Sequence, residues 1–67
     1  MNKSKLTVEQ QVVLNALENE HLTSFQILEK VDNISLILVL YNIIDELKGI
    51  GILKTYSKKN KRYHYTT

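Results

Sequence analysis

Apolar residues recur at spacings of three and four through most of the first fifty positions, then alternate with polar ones to the end. The first pattern is helical and the second is that of strands. Val12, Val13, Ala16 and Leu17 form one helical face. Thr7-Val8-Glu9-Gln10 precedes that face and fits a capping box, in which the hydroxyl and the amide satisfy orphan backbone donors. A second capping box, Thr23-Ser24-Phe25-Gln26, opens a second helix. Leu22 and Ile27 stand at its staple positions, and Phe25, Leu28 and Val31 are expected to be its buried face. Asp32-Asn33 is a turn signal.

A third helix is expected to start from Ser35 as N-cap, with Ile37, Leu40, Ile44 and Leu47 facing the core. The stretch 34–44 is rich in β-branched residues and also fits a buried strand. The period continuing through Leu47 favours helix. Gly51 suits a left-handed C-cap. Beyond it, two β-branched and aromatic runs flank the basic turn Ser57-Lys58-Lys59-Asn60-Lys61-Arg62, which predicts a β-hairpin. The expected elements are helices at about 7–18, 24–31 and 35–50 and strands at about 52–56 and 62–66. Three helices followed by a basic hairpin predict a mainly α fold with a small β-hairpin, a winged helix-turn-helix, as one domain over residues 1–67.

Charge sharpens this picture. Residues 1–47 hold three lysines against seven acids, a net of −4, whereas residues 48–67 hold six cations and no acid, a net of +6. A basic end on an acidic body points to a polyanion contact at that end. Lys54, Lys58, Lys59, Lys61 and Arg62 cluster there, with Tyr56 among them and Tyr63 directly after. Such lysines contact phosphates without reading sequence. The tyrosines could stack on bases or sugars, although at least half are expected to pack back on the small core.

The third helix complicates the reading. Opposite its core face stand Leu38, Val39, Asn42, Asp45 and Glu46, with no lysine or arginine. Asn42 could read an adenine, and Leu38 or Val39 could touch a thymine methyl. Leu36, Val39, Ile43 and Ile50 make a second apolar stripe. A helix apolar most of the way round is usually covered on more than one side. Leu36, Leu38, Val39 and Ile43 are therefore the expected partner interface, for a second copy or another protein.

The order of these residues resembles the N-terminal DNA-binding domain of the ferric uptake regulator family. His21-Leu22-Thr23-Ser24 is similar to the start of that family's second helix, and Lys5-Leu6-Thr7 to the entry into its first core helix. Leu40-Tyr41-Asn42-Ile43-Ile44-Asp45-Glu46-Leu47-Lys48-Gly49-Ile50-Gly51-Ile52-Leu53 resembles its recognition helix and first wing strand. The resemblance implies a winged-helix transcriptional regulator, dimeric, with Tyr41 and Asn42 at double-stranded DNA. A cytoplasmic location is expected because no signal segment or bilayer-spanning run is read in the sequence. Asn42 stands where the family has arginine, Leu38-Val39 where it has Ala-Thr, and the family's metal-binding dimerisation domain has no counterpart here. His21 matches a ligand histidine and His64 the place of a ligand carboxylate, which would bring the two near each other. Two ligands fall short of the three or four that zinc takes, so two solvated histidines and no metal or cofactor are expected.

Catalysis is not expected. The chain has no cysteine, and Asp45 and Glu46 are adjacent on a helix, about 100° apart. The longest apolar run is shorter than the roughly 20 residues that span a bilayer. Two readings stand: a small DNA-binding regulator using the wing and third helix, or a protein-interaction module docking through the apolar surface of that helix.

Overall fold

A computed structural model describes residues 6–66 of the chain. Lys5, the first residue of the likeness Lys5-Leu6-Thr7, lies outside the described residues. The elements are α1 (Val8–Ala16), α2 (Ser24–Lys30), α3 (Ile37–Gly49), β1 (Leu53–Lys58) and β2 (Lys61–Thr66). Both capping boxes form. Thr7 accepts from the Gln10 amide and Thr23 from the Gln26 amide, and each glutamine side chain bonds back to the cap backbone.

Helix α3 begins later than Ser35 would set it. Its N-cap is Leu36, which offers no side-chain cap. Packing decides this: Ile34 is buried ahead of the helix, and the helical register then buries Leu40, Ile43, Ile44 and Leu47. At the other end the Ile52 N–H donates to the Leu47 carbonyl and the Gly51 N–H to the Lys48 carbonyl. That pair of bonds is a Schellman closure, and it requires the φ of +82° at Gly51.

The core joins Val13, Ala16 and Leu17 of the first helical unit to Leu22, Ile27 and Ile34, the four α3 residues and Leu53. Phe25 is not in it. The side chain is 66% exposed, because α2 turns Ile27 inward and a residue two positions earlier lies about 200° away. Ile43, expected at a partner interface, is only 6% exposed and belongs to the core. On the helix circumference it lies about 40° from Leu47 and about 60° from Leu40, so it falls on the same buried face.

The strands pair antiparallel from Leu53↔Thr66 to Lys58↔Lys61. They run further toward the tip than expected, leaving only Lys59 and Asn60 in the turn. Both residues have positive φ, 52° and 66°, which is the two-residue type I′ turn. Leu22 bridges the free edge of β2 at His64 through two backbone bonds of 3.1 and 2.7 Å. Three helices and a hairpin tied back to the α1–α2 link in this way make a winged helix.

Lys59 carries the backbone cost of that turn, since a left-handed conformation is unfavourable for an ordinary side chain. Writing Asn-Gly there, as Lys59→Asn with Asn60→Gly, should raise stability by about 1 kcal/mol. The check is a thermal midpoint several degrees higher, on the usual scale of roughly 4–8 °C per kcal/mol for so small a domain.

Candidate nucleic-acid interface

Pairing gives the hairpin two faces. Leu53 and Thr55 of β1 share the inner face with His64 and Arg62 of β2, and Lys54, Tyr56 and Lys58 share the outer face with Tyr65, Tyr63 and Lys61. The inner face, the exposed flank of α3 and the start of α2 enclose an open cleft of about 800 Å³. Lys48, Tyr41 and Asp45 come to it from α3, Lys61 and Arg62 from the wing, and Ser24 and Phe25 from α2.

Lys48 changes the view of α3. Sequence reasoning found no cation on its outward face, yet Lys48 lies in the cleft because it follows Tyr41 by seven residues, two helical turns. Glu46 sits elsewhere: its Oε1 accepts from Gln10 Nε2 of α1 at 3.0 Å. The acids of the cleft are Asp45 and Glu29. Among the described residues the one ion pair is Lys30–Glu20, so Lys48, Lys61 and Arg62 have no carboxylate partner. Asn42 is exposed on α3 but does not line the cleft. Lys54, Lys58 and Lys59 are exposed along the hairpin.

His64 forms the cleft floor and is only 6% exposed, so it is not the solvated histidine the sequence suggested. Its Nε2 meets Ser24 Oγ and its Nδ1 meets Thr55 Oγ1, both at 2.9 Å. One nitrogen donates and the other accepts, so the neutral ring satisfies both hydroxyls. Burial holds its pKa below the ordinary 6.5, and the positive charges of Lys48 and Arg62 push the same way. A lowered histidine pKa stabilises the fold above the unfolded value, and that contribution is lost as pH falls. Stability should therefore drop between about pH 7 and pH 5, and His64→Gln should flatten that dependence. Urea midpoints of both proteins at the two pH values decide it; parallel changes would assign the titration elsewhere.

His21 and His64 are not brought together as ligands. Leu22 faces inward with His64, which turns His21 to the outer face. There it stacks on Tyr65 with centroids 4.8 Å apart, and its Nδ1 lies 2.9 Å from the Tyr56 hydroxyl. Tyr56 and Tyr63 stack at 5.6 Å. None of these tyrosines joins the core, contrary to the expectation for half of them.

The residues that sequence reasoning missed are Ser24, Phe25, Lys48 and the outer partners His21 and Tyr65. A helical wheel anchored on Leu40, Ile43 and Leu47 would have found Lys48; nothing in the sequence marks the Leu22–His64 bridge that places the rest. No family model and no curated protein matches this chain.

Proposed function

We propose that this winged helix is a small DNA-binding protein, a cytoplasmic transcriptional regulator that holds duplex DNA between α3 and the wing. One observation carries the reading: cations from two separate elements, Lys48 of α3 and Lys61 and Arg62 of the hairpin, converge on one cleft without carboxylate partners among the described residues. Lys58 and Lys61 stand directly opposite each other, a like-charge pairing that costs stability and that a bound phosphate would relieve. Lys54 and Lys59 extend the positive surface. Tyr41 lies beside the cations in the cleft, and Asn42, exposed on α3 outside the cleft, is the amide that would read a base edge. Asp45 and Glu29 also line the cleft and would disfavour a phosphate placed beside them. The likeness to the DNA-binding domain of the ferric uptake regulators supports the same reading.

The test is titration of mixed-sequence duplex DNA at two salt concentrations. Affinity that falls steeply with salt supports the proposal, and no binding at low salt overturns it.

A second reading has its own observation. Leu36, Leu38 and Val39 are 64%, 71% and 41% exposed at the start of α3. Contiguous apolar surface of this kind marks protein contacts, and self-association through it would give the dimer that regulators of this fold use.

A further inference from the structure

We propose that the outer face of the hairpin is a second site, a stacking platform for the unpaired bases of single-stranded nucleic acid. It does not rest on the cleft reading, because it uses the opposite face of the sheet. The register gathers Tyr56, Tyr63 and Tyr65 there, and the Leu22–His64 bridge adds His21. The four rings hold one another. His21 stacks on Tyr65 at 4.8 Å and Tyr56 on Tyr63 at 5.6 Å, with Tyr56 meeting Tyr65 at 5.8 Å and His21 edge-on at 5.5 Å. The platform is thus ordered before any ligand arrives, which lowers the entropy cost of binding.

These rings lie outside the hydrophobic core, and His21 and Tyr56 remain exposed. Lys54 and Lys58 share the face with them. Aromatic faces flanked by ammonium groups match a chain that offers π-faces on a phosphate backbone. Duplex bases are stacked on each other and show only their edges, so the ligand is unpaired. DNA and RNA single strands share this chemistry.

The experiment compares oligothymidylate, oligouridylate and an abasic deoxyribose-phosphate strand, all of one length, about 10 nucleotides. The chain has no tryptophan, and three of its four tyrosines are on the platform. The fourth, Tyr41, lines the cleft, so emission is read in a Tyr41→Phe background, where it reports on the platform. The base-bearing strands should quench that emission and bind at least about tenfold more tightly than the abasic strand, which carries the same charge. The tighter of the two names the sugar. Tyr56→Leu with Tyr63→Leu should erase the advantage and leave abasic binding unchanged. Should that variant fail to fold, Tyr56→Phe with Tyr63→Phe retains the ring faces and should retain the preference. Lys48→Ala with Arg62→Ala should weaken duplex binding while the preference for bases persists, which separates this site from the cleft. Equal affinity of the wild-type chain for base-bearing and abasic strands overturns the proposal, as does failure to bind either; the rings then serve only to pack the hairpin.

Discussion

Replacing Lys48, Lys58, Lys59, Lys61 and Arg62 together with alanine is expected to remove most of the affinity for duplex DNA and nearly all of its salt dependence. Each phosphate contact contributes about 0.9 to the slope of log affinity against log salt. If each of the five residues makes one contact, the variant's slope is flatter by about 4.5 units. The wild-type chain should then lose affinity by roughly 500-fold between about 50 and 200 mM salt, whereas the variant should lose little. All five side chains are exposed, so the fold should survive. Removing the opposed Lys58 and Lys61 charges should even help it.

The single change Lys48→Ala locates the DNA. A slope lowered by about 0.9 places a phosphate in the cleft against α3. An unchanged slope, with the wing variants still effective, would put the DNA on the hairpin alone. Asn42→Ala should behave differently. If Asn42 reads an adenine, its loss should weaken one preferred sequence by about 1–3 kcal/mol and leave the salt slope alone.

Ile43→Glu is expected to unfold the domain, and Val39→Glu to leave it folded. A chain of this length has a total stability on the order of 3–10 kcal/mol. Ile43 is 6% exposed within the core. Its replacement loses the apolar transfer energy and forces a carboxylate out of water, together about 5 kcal/mol or more. Val39, four residues earlier, is 41% exposed and can take a charge at little cost. Circular dichroism melts should show no cooperative transition for Ile43→Glu and a near-normal one for Val39→Glu. A normal melt for Ile43→Glu would mean that α3 is rotated with Ile43 outward. The Val39→Glu protein also tests the docking reading. If copies associate through Leu36, Leu38 and Val39, sedimentation should show the wild type as an oligomer and the variant as a monomer.

Several features were legible because they depend on neighbours in the chain. A threonine three residues before a glutamine, just ahead of an apolar helical run, is the capping-box pattern, and both boxes form as the spacing predicts. Gly51 closes α3 because few other residues adopt positive φ without strain. The charge asymmetry needs no fold at all. Element order therefore followed from periodicity, caps and turn chemistry.

The errors share one physical origin. Phe25 and Ile43 are both apolar, and no local rule tells which one the core has room for. Helix phase against three neighbouring elements exposes the first and buries the second. Ser35 lost the N-cap of α3 to Leu36 because burying Ile34 and Leu40 outweighs one capping bond.

By itself the sequence determined the helices, their caps, the basic hairpin and the separation of charge, all set by interactions within a few residues. Only the tertiary structure decided that Lys48 shares a cleft with Arg62, that His64 is buried between two hydroxyls, and that His21 joins three tyrosines on the far side of the sheet. Those arrangements depend on one backbone bridge, Leu22 to His64, between residues 42 positions apart. A contact that distant forms only once the hydrophobic core has closed the loop, so no periodicity along the chain announces it.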